Sequence, residues 1–129
     1  MAAPGDTDLD RMLRNLSVDR RPGEFTYIEV LALTPDLIAV AQATVVEGEM
    51  TTVVLEVGDA EQDGRPISVR LAWLTLSVQS SLEAVGLTAA VSERLTREGI
   101  SCNVLAGYRH DHLLVPVARA DDAIAALTS

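Results

Sequence analysis

A chain of 129 residues has room for one compact domain or two very small ones. Its net charge of −9, with all ten basic residues Arg and scattered among acidic neighbours, works against binding to nucleic acid. Hydrophobic residues at 48% exclude a disordered chain, and aromatics at 3% require a core of Leu, Val, Ile and Ala.

Leu9, Met12, Leu13 and Leu16 recur at helical spacing and predict a first helix, with Asp8 as its N-cap. Arg20 to Gly23 reads as a break, with Pro22-Gly23 as its turn signal. Phe25 to Leu33, rich in β-branched and aromatic residues, predicts a strand that Thr34-Pro35-Asp36 interrupts. Leu37 to Glu47 and Thr51 to Val57 read as two further strands, joined as a hairpin near Gly48. Gly58 to Pro66 holds Asp59, Glu61, Asp63 and Gly64 and reads as a boundary loop with room for one helical turn.

The second half has a plainer pattern. Leu74, Leu76 and Val78 alternate with Thr75, Ser77 and Gln79, the period of a strand with one buried face. Leu87, Ala90, Val91 and Leu95 mark a helix that Gly99 ends. Ile100, Cys102, Val104 and Ala106 alternate with Ser101, Asn103 and Leu105 as a second strand. Leu113, Val115 and Val117 follow a polar turn as a third, and Pro116 places that strand at an edge or near its end. A last helix carries Ala120, Ala123, Ile124 and Leu127, with Asp121 and Asp122 matched to its dipole. Strand, helix, strand, strand, helix is the ferredoxin-like order without its final strand, and the class is α+β. The uncovered edge needs a neighbouring chain segment or a second subunit. Leu105 and Leu114, each on the face opposite its apolar neighbours, suggest that the cover is a homodimer.

Three segments carry a family likeness: QSSLEAVGLTAAVS from Gln79, GISCNV from Gly99, and GYRHDHLLVP from Gly107. In this order they resemble the small bacterial proteins built from tandem ACT-like domains. The likeness spans residues 70–127 and is looser before that, at Pro22-Gly23-Glu24 and from Ala43 to Leu55. It implies two ferredoxin-like antiparallel sheets with helices on one face: a reduced unit over residues 1–65 and a second over residues 66–129. It also implies regulatory binding of an amino acid or similar effector, commonly across a dimer interface. Such ligands sit where the first strand turns into the first helix, at a Gly that corresponds here to Gly86. The family's usual Asp-x-Pro-Gly turn is absent, since this chain reads Glu83-Ala84-Val85-Gly86.

The residues themselves leave several chemistries open. Ser80, Ser81 and Gly86, between strand and helix, suit a carboxylate at a helix start or serve only as a capping loop. His110 and His112 would share a face if strand-borne, and so form either a metal pair or polar turn residues. Cys102 alternates with apolar residues, as a buried inert thiol does, and lacks a third group to orient a thiol–histidine pair. Asn103 points to the face opposite Cys102, toward a ligand or a strand edge. No phosphate loop or cofactor fingerprint is present, so no cofactor is expected.

These readings converge on a non-enzymatic, amino-acid-binding regulatory protein with Ser80, Ser81, Gly86, Leu87, Asn103, His110 and His112 at its site. A metal-dependent enzyme using His110 and His112, and a purely structural oligomerisation module, are the rival readings. The expected location is cytoplasmic, because the N-terminus to Asp10 lacks an apolar signal core. No membrane span is expected either, because Ile38 to Val46 is too short.

Overall fold

The computed structural model describes residues 13–78 and 86–128. Its elements follow in the order β1 (Ser17–Val30), α1 (Pro35–Val40), β2 (Ala43–Glu47), β3 (Met50–Glu56), α2 (Val57–Gln62), β4 (Leu71–Ser77), α3 (Leu87–Arg97), β5 (Asn103–Ala106), β6 (Asp111–Pro116) and α4 (Ala120–Thr128). A short 3₁₀ turn, Val117–Arg119, leads into α4. The run βαββα thus occurs twice along the chain. Its paired strands are antiparallel, and the fold is α+β of the ferredoxin-like kind.

Two compact units are interleaved in sequence: Met1–Arg21 with Ala72–Ser129, and Pro22–Leu71. In the first, split unit the strand order is β1-β4-β6-β5. The start of β1 is therefore the strand that the βαββα run lacked, and it comes from the same chain. Ala72, Leu74 and Leu76 of β4 and Leu113 and Val115 of β6 face Leu87, Ala90, Val91 and Leu95 of α3 and Ala123 and Leu127 of α4, forming one core. Both helices lie on that face. Leu13 and Leu16 join the same core, while most of the helix expected around Leu9 lies outside the described residues.

Helix α3 stops as its sequence predicts. The Ile100 amide donates to the Leu95 carbonyl at 2.9 Å and the Gly99 amide to Thr96 at 2.9 Å, the Schellman pattern. Arg119 donates a further bond to the Glu98 carbonyl at 2.9 Å. Strand β5 is shorter than the alternation from Ile100 suggests, because that closing turn uses Ile100.

In the second, inserted unit the strand order is β2-β3-β1, and its core holds Ile28, Val30, Leu37, Val53, Leu55 and Ala60. Three expectations are corrected here and along β1. Pro22-Gly23 does not break the chain: β1 runs through it, with Gly23 at φ 100°, and passes there from one unit to the other. Leu37 to Val40 is helix rather than strand, because Thr34 Oγ1 accepts from the Leu37 amide at 3.2 Å and Pro35 occupies the first turn. The acidic stretch after Gly58 is mostly helix α2, which buries Val57 and Ala60. A fourth correction concerns Leu114, which is 1% exposed within the single chain and so is not waiting for a second subunit.

The Thr34 cap orders a helix of only six residues that buries Leu37 in the inserted core. Thr34→Ala should lower stability by about 0.5–2 kcal/mol, read from the urea midpoint at unchanged slope.

Candidate functional site

A cavity of about 260 Å³ opens in the split unit where β4 ends and α3 begins, lined by Leu76, Ser77, Val78 and Leu87 and by the turn Gly107 to Asp111. Leu76 and Leu87 are core residues, so one wall is apolar and fixed by packing. The other wall is the β5–β6 connection, which brings Arg109 and Asp111, of opposite charge, to the same opening. Helix α3 follows Gly86, which lies in the left-handed region at φ 89° and, as a glycine, has no side chain with which to cap it. Its first turn carries no acidic residue.

The turn is held from below. Gly107 donates its amide to the His110 carbonyl at 2.9 Å. A Cβ at Gly107 would stand 2.9 Å from that same oxygen and 3.1 Å from His112 Nε2, so only glycine lets the turn close over the imidazole. His112 belongs to the opposite sheet face, since its neighbour Leu113 is in the core. There its Nδ1 accepts from Trp73 Nε1 at 3.2 Å and lies 3.0 Å from Thr75 Oγ1. Arg21 stacks on the same indole, 4.0 Å from the ring centroid. Burial, then the Arg21 charge and His110, hold the His112 pKa below the usual imidazole value, against a weaker upward pull from Asp111.

Of the residues singled out from sequence, Leu87 and His110 line the cavity and Gly86 starts its helix. His112 lies behind the turn, with its ring centroid 6.4 Å from that of His110. Asn103 is at the far end of the hairpin, paired with Leu114, and is not among the lining residues. Ser80 and Ser81 lie outside the described residues. Sequence reasoning missed Arg109, Asp111 and Trp73. Trp73 precedes the alternation that starts at Leu74, and nothing local signals its bond to a residue 39 positions away.

Among the described residues no group of three or more His, Cys, Asp or Glu side chains is arranged to hold a metal. Cys102 is half-buried against the core, and burial pushes its thiol pKa up, away from the nucleophilic thiolate. A larger cavity, about 390 Å³, lies in the inserted unit beside Asp36, Asp59 and Asp63, of which Asp63 already pairs with Arg65 at 2.9 Å.

An ACT domain profile matches residues 68–129, and a second ACT domain profile matches residues 4–70. The chain belongs to the ACT domain family. It is similar along its length to a Vibrio cholerae protein of unknown function, described as a possible transport protein, at 38% identity and a TM-score of 0.86, with 95% of each chain covered. An Agrobacterium tumefaciens protein shares the fold at 16% identity and a TM-score of 0.67, covering 88% of this ACT chain and 87% of that one. The aspartate kinase of Clostridium acetobutylicum, described as an allosteric enzyme, shares it at 10% identity and a TM-score of 0.59 over 88% of this chain and 33% of its own. No functionally curated protein matches. Among the described residues no helix is long and apolar enough to cross a membrane.

Among the described residues nothing stands within 4 Å of a Cβ added to Gly86, and its φ of 89° is a backbone conformation that favours glycine. Gly86→Val should therefore cost about 1–3 kcal/mol of strain. A variant that melts with the parent chain would mean that the turn relaxes to an ordinary conformation.

Proposed function

We propose that this ACT chain is a regulatory module that binds a small amino-acid-like effector at the start of α3 and carries out no chemistry of its own. The observation that supports it is the pairing of an apolar wall with two opposite charges around one cavity. Leu76, Val78 and Leu87 suit an apolar side chain, Arg109 suits a carboxylate and Asp111 an ammonium group. The first-turn amides behind Gly86 add a second place for the carboxylate. Ser80 and Ser81 belong to this proposal as hydroxyl donors from the segment before Gly86, and His110 as a side wall. About 260 Å³ is below the roughly 300–1,000 Å³ of drug-sized sites and suits a metabolite of amino-acid size. The likeness to an aspartate kinase described as allosteric agrees with a regulatory role, although at 10% identity it speaks for the fold.

Thermal shift against the twenty amino acids should single out apolar ones. Saturation at one hundred times Kd should add about 2.7 kcal/mol of stability. Arg109→Ala should remove the shift while leaving the unliganded melting temperature in place. Lack of response to any amino acid, at concentrations up to tens of millimolar, would remove the effector reading.

Self-association belongs to the same proposal. The open strands β2 and β5 lie at the sheet edges, with Val46 76% and Val104 39% exposed, and edges of this kind invite pairing. Light scattering at micromolar concentration should give about twice 13.8 kDa, and a constant mass of one chain would refute the dimer.

A further inference from the structure

A line of contacts runs from the face of β4 opposite the helices to the cavity wall. Trp73 is 3% exposed, and its indole N–H can only donate, so His112 Nδ1 carries no proton when that 3.2 Å bond is formed. The ring hydrogen then sits on Nε2, the atom against which Gly107 packs. Gly107 and His110 close the turn through their 2.9 Å backbone bond, and both line the cavity. The imidazole is therefore the support on which one wall of the cavity rests.

We propose that His112 is a positioning residue for this cavity, and that protonation of its ring releases the Gly107–His110 turn, so that effector affinity falls on acidification. The inference rests on the effector reading above. Protonation puts a hydrogen on Nδ1, where the Trp73 N–H already points. Two donors then face each other and the Trp73 bond is lost, leaving Thr75 Oγ1 at 3.0 Å as the acceptor toward which the ring must turn its new hydrogen.

The surroundings oppose that charge. Arg21 of β1 stacks on the same indole, His110 faces the ring from the turn, and Asp111 is the one anion beside it on β6. From β4 come Trp73 and Thr75, and from β5 comes Leu105, the register partner of His112; none of these bears a charge. Burial and the neighbouring cations keep the ring neutral to a lower pH than a free imidazole. The unfolded chain takes up this proton near the ordinary value of about 6.5 and the folded chain only lower. Acidification through that window thus favours whichever state exposes the ring, first the opened turn and then the unfolded chain. The stabilising contact is complete above about pH 6.5 and is lost as pH falls through the folded value.

The chain has a single tryptophan, so its emission reports on this contact directly. Emission from the full chain should titrate between pH 8 and 5 with a midpoint below about 6.5, since a charged imidazole quenches an adjoining indole. Over the same range, hydrogen-exchange protection of the Gly107 amide, corrected for intrinsic rates, should fall by up to about tenfold per pH unit below the midpoint. His112→Asn supplies an amide oxygen near the place of Nδ1 that does not titrate. It should abolish the emission change and keep the Gly107 amide protected throughout, whereas His110→Asn should leave the Trp73 titration in place. Flat Trp73 emission, or Gly107 protection that does not change with pH in the parent chain, overturns the proposal. So does a His112→Asn variant that titrates like the parent. If that variant does not fold, the two parent readouts decide alone. None of these measurements needs a ligand, so failure of the amino-acid panel leaves them interpretable.

Discussion

The alternation of β4 is the constraint on which the site depends. Ala72, Leu74 and Leu76 enter the helix-covered core, while Trp73 and Thr75 face the other way and meet His112. A slip of one residue would send the indole into the helices and Leu74 out to the imidazole. That register is doubly specified, because β4 lies between β1 and β6 and has little exposed side chain on either face. Leu76 belongs both to the core and to the cavity wall, so the floor of the site is as rigid as the fold itself.

The two βαββα runs treat the same position differently. In the inserted unit the first helix starts with Thr34, whose hydroxyl takes the Leu37 amide, and the helix lasts only six residues. Its orphan donors are partly met from within, and little helix remains behind them to orient a dipole. In the split unit Gly86 offers no side chain and α3 runs for eleven residues.

Much of the split unit was legible because its signals are local and periodic. The alternation after Ala72, the helical spacing from Leu87 and the stop at Gly99 each state one element without outside help. The inserted unit was harder to read because its elements are short. Ile38, Ala39 and Val40 are apolar residues that suit a strand, and a single hydroxyl at Thr34 decides for helix. Pro22-Gly23 carries the strongest turn signal in that region. The strand nevertheless continues, because Gly23 takes up the irregularity at φ 100° and pairing with β3 begins at Phe25. Of the site, Gly86 and the turn could be found from sequence. The Trp73–His112 bond could not, because it joins two strands whose adjacency exists only once the sheet has formed.

The cavity combines a wall set by the core with a wall set by a four-residue turn, and only the turn can yield at small cost. Tyr108 at its tip is fully exposed, and the turn's own backbone bond is the 2.9 Å contact from Gly107 to His110. An effector that bridges Arg109 and Asp111 to Leu87 would close the weak wall onto the strong one, so its binding energy would order the turn. A proton on His112 acts on that same turn from the other side of the sheet. Because both act on one equilibrium, linkage requires reciprocity. Whatever factor acidification removes from effector affinity, the bound effector must impose in turn as a lowering of the His112 proton affinity. Such coupling needs no long pathway through the protein, only the imidazole packed against Gly107 and the indole that holds it.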